Sequence, residues 1–389
     1  MKYLIKFFAI FYGIWLQSNP LLVAVLMVKN EAPAMETTLQ PLVDAGIQDF
    51  LIYDTGSTDN TIQVTQDFFI QNNITHFVIE QGEFVDFATS RNKALELTDQ
   101  YFPDATFMLM PDAEWILQNG TDLLKFCEEQ KNNNEPLFMM RIKRCNMELG
   151  QARLIRTKSN VAFVGRVHEI PNLIPKVKVP DHIYFELTLT KYGCEKSQER
   201  WLKDRAALFQ DLQANPDNPR TIYFLAQTYF YLNDWQNAEK WYQYRSEMSG
   251  YAEENFLSLY FLAQVYGFLG KQENMIQTYF QAFCLRPNRA EPLIRLAEYF
   301  YNMGNYELCY LFARHAATMP YPTHDFMNIE KWLYDFARYN LLSLTSFFMT
   351  NYKLGEQATL KALQACPYEQ YLHQNLQQYQ MMLLNQKER

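Results

Sequence analysis

The sequence has little positive charge. It carries 35 Lys and Arg against 43 Asp and Glu, which gives a formal net charge of −8, and no block of basic residues compensates for it. This balance argues against a general nucleic-acid surface, because such surfaces neutralise phosphates with clustered Lys and Arg. Glycine is also scarce, with 13 residues beside 26 Tyr and 29 Phe, which favours packed helices over a loop-rich β fold.

Several local signatures are absent as well. The six cysteines form no CxxC pair and no zinc-binding spacing. The sequence contains neither a GxGxxG dinucleotide fingerprint nor a GxxxxGKS/T phosphate loop. A bound phosphate would therefore have to be held by a metal ion and a basic side chain, since no glycine-rich loop is available for it.

Residues 1–20 form an apolar N-terminal segment with more than one interpretation. Lys2 and Lys6 precede an apolar run over residues 7–16, which resembles a short signal-peptide core. The segment lacks a small-x-small cleavage site, and the run is short for a transmembrane helix. A cleaved signal, a membrane-associating segment and an ordinary packed helix remain open. We expect the last, and hence a cytoplasmic protein, with membrane association through this segment as the alternative.

Residues 21–196 show the pattern of an α/β domain. Continuous apolar runs at residues 21–28 and 50–53 predict strands, and a third strand is expected near residues 76–79. A polar loop with a proline near the start of a helix follows the first run, and a loop with a glycine and several candidate helix N-caps follows the second. The alternation of strand and helix predicts a mostly parallel, Rossmann-like sheet with right-handed crossovers.

A further predicted strand, at residues 107–110, runs into two carboxylates. Pro111 ends the strand because it has no N–H to donate, and Asp112 and Glu114 follow. Ligands of open α/β sheets bind at the carboxyl ends of the strands, where Asp54 also lies. Asp112 and Glu114 can supply oxygen ligands to Mg²⁺ or Mn²⁺. Alternatively, one of them only caps the next helix.

Four motifs in the first half have a recognisable order. They are Val-Lys-Asn-Glu at 28–31, Asp-Thr-Gly-Ser-Thr-Asp at 54–59, Phe-Ala-Thr-Ser-Arg-Asn at 87–92 and Asp-Ala-Glu at 112–114. In order and spacing they resemble the family 2 glycosyltransferases, so residues 21–196 resemble the GT-A nucleotide-sugar domain of that family. The glutamate at 114 is a departure, because most relatives have aspartate there.

The resemblance implies roles for individual residues. Asp54 would contact the nucleotide base and Arg91 the nucleotide or its diphosphate. Asp112 and Glu114 would bind the metal ion, Mn²⁺ or Mg²⁺. The same motifs contribute four further candidates for binding the nucleotide-sugar cofactor: Asn30, Glu31, Ser57 and Asp59.

A later stretch, residues 163–169, ends in a His-Glu pair that fits the same family. A neutral imidazole at His168 can complete a metal site. A carboxylate at Glu169 can accept the proton of an attacking hydroxyl group. We therefore take both residues as catalytic candidates, with His168 also a metal candidate, and the two roles remain interchangeable at this point.

Residues 197–389 contain a helical repeat. The segment at 223–229 returns at 260–266 and, more loosely, at 294–300, and a turn residue recurs at Asn233, Gly270 and Gly304. A period of about 34 residues with these features is typical of tetratricopeptide repeats. Stacked units bury surfaces that one unit cannot bury alone, so the sequence predicts an all-α solenoid that recognises the acceptor or a protein partner.

The two halves together predict a metal-dependent, inverting glycosyltransferase with C-terminal tetratricopeptide repeats. The expected donor is a nucleotide-diphosphate sugar, UDP-sugar in the first instance, and the acceptor is a protein, a peptide or a glycan. The alternative is a catalytically inactive scaffold or binding protein of the same architecture. Glu114 favours the scaffold, whereas Asp54, Arg91, Asp112 and the His-Glu pair favour the enzyme.

Overall fold

The computed structural model describes residues 19–187 and 191–387. Most of the apolar N-terminal segment therefore lies outside the described residues.

The described chain folds as an α/β domain followed by a helical region. The strands are β1 (Leu22–Val28), β2 (Asp49–Asp54), β3 (His76–Gln81), β4 (Phe107–Leu109), β5 (Trp115–Gln118), β6 (Leu137–Arg144), β7 (Met147–Arg156), β8 (Phe163–Val164), β9 (Ile170–Pro171), β10 (Val177–Lys178) and β11 (Tyr184–Leu187). The helices of this domain are α1 (Ala32–Asp44), α2 (Thr61–Gln71), α3 (Phe87–Tyr101) and α4 (Gly120–Gln130).

The strands of residues 19–187 form a nine-stranded sheet and a small two-stranded one, β8–β9. The order in the large sheet is β3-β2-β1-β4-β7-β6-β11-β5, and β10 lies beside β6. Strands β1 to β4 are parallel, as predicted, but β7 is antiparallel to both β4 and β6. The prediction of a mostly parallel sheet is therefore wrong beyond β4, where the sheet is mixed. The reason is that β6 and β7 are joined by two residues, and so short a connection permits only antiparallel pairing.

The sheet curls because of the link between β4 and β5. These strands are consecutive in the chain but stand four positions apart in the sheet order. In a flat sheet the link would have to span about 19 Å, close to the fully extended reach of residues 110–114. The link is not extended, since the N–H of Trp115 donates to the carbonyl of Asp112 at 3.2 Å. Curling of the sheet brings β5 beside α1. It also places residues 112–114 at the carboxyl end of β4.

Strand β1 lies at the centre of the domain and is buried on both faces. Its alternate residues contribute to two separate apolar cores, because successive side chains of a strand point to opposite faces. One core holds Leu22, Ala24, Leu26 and Val28, and the other holds Val23 and Val25. The central position of β1 explains why the sequence shows a continuous apolar run there.

The helical region begins with α5 at Lys191, before the predicted boundary at residue 197. Its helices are α5 (Lys191–Ala214), α6 (Pro219–Tyr231), α7 (Trp235–Ser246), α8 (Ala252–Phe268), α9 (Gln272–Leu285), α10 (Glu291–Asn302), α11 (Tyr306–Thr318), α12 (Arg338–Ser346), α13 (Tyr352–Ala365) and α14 (Gln370–Lys387), with a π-helical turn at Leu333–Ala337. No helix within residues 19–187 and 191–387 has the length and apolar character needed to cross a bilayer.

The predicted turn positions are confirmed. Asn233, Gly270 and Gly304 each end the first helix of a pair with a positive φ, at 58°, 72° and 72°. Thr350, at φ 52°, has the same place between α12 and α13. Consecutive helices contact one another throughout, so the helical region is tetratricopeptide-like in architecture.

The helical region contacts the α/β domain near the start of β7. Strand β4 pairs only with residues 154–156 of β7, which leaves the edge of residues 148–150 open. The helical region occupies that edge. Glu148 and Ile329 exchange two backbone hydrogen bonds of 2.9 Å, and the N–H of Gly150 donates to Phe326 at 2.7 Å. The buried Arg141 also donates to the carbonyl of Asp325 at 3.3 Å.

Candidate functional site

Four charged side chains that are distant in sequence converge at the carboxyl end of β4. We refer to Arg91, Arg153, Asp112 and Glu169 as the charge cluster. Arg91 donates to both carboxylates through Nη2 and Nε, and Arg153 Nη2 lies 3.5 Å from Asp112 Oδ2 and 3.5 Å from Glu169 Oε1. The side chain of Asp112 is 37% exposed, whereas those of Arg91 and Glu169 are 3% and 8% exposed. The cluster is therefore a mostly buried group with one solvent-facing carboxylate.

The four members of the charge cluster lie on a helix, a strand and two connecting segments. Arg91 lies in the second turn of α3, a helix capped by Asp86, whose carboxylate accepts from Thr89 N at 2.7 Å. Arg153 lies on β7, and its carbonyl accepts from Met110 N at 2.9 Å, which fixes the chain just before Asp112. Glu169 lies on the loop between β8 and β9. The cluster thus depends on four different elements meeting at one end of the sheet.

The electrostatics of the charge cluster keep all four groups ionised. Burial alone raises the pKa of Asp112 and of Glu169, but the guanidinium groups of Arg91 and Arg153 outweigh it and hold both values below the usual range. The two carboxylates raise the pKa of Arg91 against the effect of burial. Burial and the charge of Arg91 lower the pKa of Arg153. Two positive and two negative groups balance, as buried charges require.

Arg153 is not among the site residues predicted from the sequence, although the sequence around it indicates a buried arginine. It is 4% exposed, and its Nε and Nη1 have no hydrogen-bond partner among the described residues. It precedes the apolar pair Leu154 and Ile155 in a run that reads as a buried strand. Arginine is almost never fully buried without a partner, so its position in an apolar run indicates an ion pair. The sequence cannot identify that partner.

Asp54 ends β2 and is fully buried. Its Oδ1 accepts from the backbone N–H groups of Gly56 and Ser57, each at 2.9 Å, so it orders the turn that follows the strand. Its Oδ2 is buried and has no hydrogen-bond partner among the described residues. A buried carboxylate oxygen without a donor is costly, so this oxygen has acceptor capacity for a water, an ion or a ligand.

The remaining cofactor-binding candidates connect the loops after β1 and β2. The N–H of Asn30 donates to Ser57 Oγ at 2.8 Å, and Asn30 Oδ1 accepts from Thr58 N at 2.7 Å. The N–H of Glu31 donates to Thr61 Oγ1 at 2.8 Å. Asp59 accepts from the N–H of Thr61 at 3.0 Å. The structure brings Asn30, Glu31, Ser57 and Asp59 together, and the hydrogen bonds described here organise the loops.

His168 is not placed as a metal ligand. Its ring stacks on Phe224 of α6, with ring centroids 3.9 Å apart and planes inclined by 8°. Burial lowers its pKa to about 4, with Arg220 and Arg200 adding to the effect and Glu169 opposing it. Among residues 19–187 and 191–387, no three His, Cys, Asp or Glu side chains are grouped to hold a metal ion. The predicted ligand set of Asp112, Glu114 and His168 is therefore not assembled.

Asp112 and Glu114 still fit a metal ion of another kind. Mg²⁺ is commonly held by one or two carboxylates, with substrate phosphates and water completing its shell. Asp112 is exposed enough to meet such a ligand, although it is paired with Arg91. Glu114 has a left-handed backbone, at φ 73°, and its N–H donates to Thr38 Oγ1 at 2.9 Å. Asp112 therefore has the exposure needed to meet a cation that is bound to a phosphorylated ligand, and Glu114 lies two residues further along the same link.

Helix α5 adds two charges that were also missed in the sequence. The positive charge of Arg200 lowers the pKa of both Asp112 and His168, so it acts on the charge cluster from the helical region. Asp204 is 5% exposed and lies 3.9 Å from Arg200. Burial raises the pKa of Asp204 to about 6, the charge of Glu169 raises it further, and Arg200 opposes both. The site is thus bordered by both parts of the chain.

Comparisons with known proteins bear on the helical region only. No protein-family model matches the chain, and no curated protein matches it. Among solved structures, the chain is similar to the C-terminal part of a TPR repeat-containing protein from Cytophaga hutchinsonii, at 15% identity and a TM-score of 0.37, covering 49% of this chain and 72% of that one. MamA matches at 15% identity and a TM-score of 0.35, covering 47% of this chain and 100% of its own. A tetratricopeptide repeat protein from Parabacteroides merdae matches at 14% identity and a TM-score of 0.35, covering 48% and 68%.

Proposed function

We propose that the protein is a metal-dependent, inverting glycosyltransferase with a GT-A domain, which moves a sugar from a nucleotide-diphosphate sugar to an acceptor. The observation that carries the proposal is the placement of Asp54 and the charge cluster at the carboxyl ends of parallel strands. Ligands of open α/β sheets bind there. The buried Oδ2 of Asp54 offers an unused acceptor for an N–H or O–H group of a nucleoside. The two arginines offer a match for a diphosphate.

The residues of this chain would divide the work. Asp54 would orient the nucleoside, and Arg91, with Arg153 behind it, would hold the diphosphate. Glu169 would accept the proton of the attacking hydroxyl or amine. The arginines keep Glu169 deprotonated, which a base requires, although they also reduce its basicity. Asp112 and Glu114 would hold the divalent cation, Mn²⁺ or Mg²⁺. Such a cation, when bound, offsets the negative charge that develops on a leaving diphosphate.

Binding of the donor is the first test. Thermal unfolding is measured with UDP, GDP and UDP-sugars, each with and without Mn²⁺. A ligand at 100 times its Kd stabilises the folded state by about 2.7 kcal/mol, so binding raises the melting temperature. Asp54→Asn should abolish the shift. Asp67→Asn, a matched change of an exposed carboxylate bonded to Gln63 at 2.9 Å, should retain it. A wild-type protein that no nucleotide stabilises contradicts the proposal.

Turnover is the second test. Glu169→Gln should bind the donor and the cation as the wild type does but hydrolyse or transfer the sugar more slowly by about 10²- to 10⁴-fold, the usual contribution of a general base. Asp204→Asn serves as the comparison, because that carboxylate also lies near the cluster with a pKa close to neutral. A loss confined to Asp204→Asn would move the base from Glu169 to Asp204.

A second candidate function is a binding protein without turnover. It is favoured by the ion pair between Asp112 and Arg91, because a cation has to compete with a buried guanidinium for that carboxylate. This function predicts a thermal shift with a nucleoside diphosphate that does not depend on Mn²⁺, and no release of sugar. The two assays above therefore separate the enzyme from the scaffold.

A further inference from the structure

The loop that carries Glu169 is held from both sides. We call residues 165–169 the clamped loop. On the side of the α/β domain, the N–H of Phe87 donates to the carbonyl of Arg166 at 3.1 Å, and Glu169 is bound by Arg91 and Arg153. On the side of the helical region, Arg166 lies 3.0 Å from Asp211 of α5 and donates to Gln210 at 2.7 Å. The loop therefore connects helix α5 to the charge cluster.

The backbone of the clamped loop is strained. Gly165 and His168 both have positive φ, at 99° and 53°. Glycine adopts this conformation freely, but a histidine there costs about 1 kcal/mol or more, and such residues persist only where their surroundings hold them. The strain at His168 is directly next to Glu169. The direction of the Glu169 carboxylate therefore depends on whatever keeps His168 in its left-handed conformation.

Helix α6 supplies that restraint. The ring of Phe224 stacks on the imidazole of His168, and Arg220 Nη2 donates to the carbonyl of His168 at 3.3 Å. The guanidinium of Arg220 also lies 4.7 Å from the Phe224 ring. Thus one face of α6 contacts both the side chain and the backbone of the strained residue.

The restraint is itself supported by the next repeat. Arg220 forms an ion pair with Glu254 of α8, and Arg245 of α7 donates to the same carboxylate at 3.3 Å. Val167 of the clamped loop packs into the apolar core of the first repeats, which includes Leu208. A displacement of α6 would therefore be transmitted to the loop, and a displacement of the loop would disturb a packed core.

We propose that Phe224 and Arg220 are positioning residues for Glu169, through which the first tetratricopeptide-like repeat sets the geometry of the candidate site. The proposal rests on the proposed function in so far as Glu169 is the group that reacts. It gives the helical region a part in catalysis that is separate from recognition of an acceptor. It also replaces the predicted metal-binding role of His168, whose ring is the contact that α6 holds.

The test uses the full chain and a matched pair of variants. Phe224→Leu removes the stacking ring but keeps an apolar side chain in the core. Phe261→Leu is the control, because Phe261 has the equivalent position in the next repeat, is also 9% exposed, and belongs to the same core. Phe224→Tyr keeps the ring and should behave as the wild type. His168→Asn removes the ring from the loop side and is the variant to use if Phe224→Leu does not fold, since asparagine tolerates a positive φ.

Hydrogen exchange of residues 165–169 is the measurement that does not need activity. Phe224→Leu should raise the exchange rate of these amides about threefold to tenfold, as expected for the loss of one aromatic pair that restrains a local segment. Phe261→Leu should leave it unchanged. Equal exchange in Phe224→Leu, Phe261→Leu and the wild type would overturn the proposal.

Kinetics provide the measurement that a merely structural role would not move. Phe224→Leu should lower kcat by about tenfold to hundredfold, because small misplacements of a reacting group have effects of this size, and should change the KM for the donor less than twofold. A loss of similar size in Phe261→Leu would overturn the proposal. If the wild type neither binds nor turns over a nucleotide sugar, the proposed function fails, whereas the exchange comparison still decides whether α6 restrains the loop.

Discussion

Arg153→Met tests whether the charge cluster stabilises the fold as a balanced group. Arg153 Nη2 lies 3.5 Å from an oxygen of each carboxylate, and at an effective dielectric constant of 20 each attraction is about 5 kcal/mol. Desolvation of the guanidinium and repulsion from Arg91 offset much of this. Removing one partner of a buried ion pair costs about 3–5 kcal/mol. Because Arg91 continues to bond both carboxylates, we expect a loss of about 3 kcal/mol in the free energy of unfolding.

The control for this change lies on the same strand. Arg156 is half-buried, and its guanidinium donates to three backbone carbonyls, of Gln130, Lys131 and Glu135, rather than to carboxylates. Arg156→Met should therefore cost about 1–2 kcal/mol, the value of ordinary hydrogen bonds that involve a charged group. Urea denaturation followed by circular dichroism compares the two variants with the wild type at pH 7.

The pH dependence distinguishes the two variants further. In the folded wild type the arginines hold the pKa values of Asp112 and Glu169 below their unfolded values of about 4. The resulting stability is fully present above that value and is lost as the pH falls through the folded pKa values. The stability gap between the wild type and Arg153→Met should therefore be full at pH 6–7 and shrink below about pH 4. The gap for Arg156→Met should remain constant.

Two results would refute this reasoning. One is that, at pH 7, Arg153→Met lowers the free energy of unfolding by no more than Arg156→Met does. The other is additivity in a double-mutant cycle with Glu169→Gln. Each single change leaves the charge cluster with one unbalanced charge, whereas the double variant restores neutrality. The two costs should therefore be less than additive, because contacting charged groups couple by about 0.5–3 kcal/mol.

Four further outcomes are expected. Asp112→Asn should abolish the Mn²⁺-dependent part of the thermal shift given by a nucleoside diphosphate, and an unchanged shift would remove Asp112 from the cation site. Gly150→Ala should lower the melting temperature, because its Cβ would lie 2.6 Å from Phe326 Cδ1 and 2.9 Å from Met139 Sδ. Such overpacking costs about 1–3 kcal/mol. A melting temperature equal to that of the wild type would show that the neighbouring side chains move to make room for the added methyl group. A chain truncated after residue 190 should aggregate in light scattering, since it uncovers the apolar surface that the helical region buries; a soluble monomer would contradict this. The pKa of His168 is about 4 in the folded state and about 6.5 in the unfolded state. Its contribution to the free energy of unfolding should therefore be complete above about pH 6.5 and decrease as the pH falls towards about 4. His168→Asn should lack this pH dependence.

The parts of the fold that the sequence predicts well are those set by local pattern. The apolar runs of β1 and β2 are visible because these strands are buried on both faces, whereas β3 is a partly buried edge strand. The turns at Asn233 and Gly270 are visible because only a few residue types accept a positive φ. The positions of the loops after β1 and β2 are also predictable from the sequence, because each loop directly follows an apolar strand.

The parts that the sequence does not predict depend on pairing between distant segments. Strand β5 follows β4 by five residues but pairs with β11 at the far edge of the sheet. Residues 326–329, in the irregular segment between α11 and the π-helical turn, pair with β7, although no strand pattern marks them. The candidate site was identified in part, because its motifs are local. Arg153 and the stacking of His168 on Phe224 were not, because each is defined by a partner more than fifteen residues away.

The orientation of the helical region relative to the candidate site follows from two separate contacts. A single contact between two parts of a chain leaves a hinge, whereas two contacts at different points of a rigid array remove it. Here α6 holds the clamped loop, and a later segment near Phe326 and Ile329 pairs with β7. Tyr321 strengthens the second contact by donating to Glu148 at 2.7 Å. The two contacts therefore hold the helical region and the clamped loop in one relative orientation, which the proposed function would use to present an acceptor bound along the helices to Glu169.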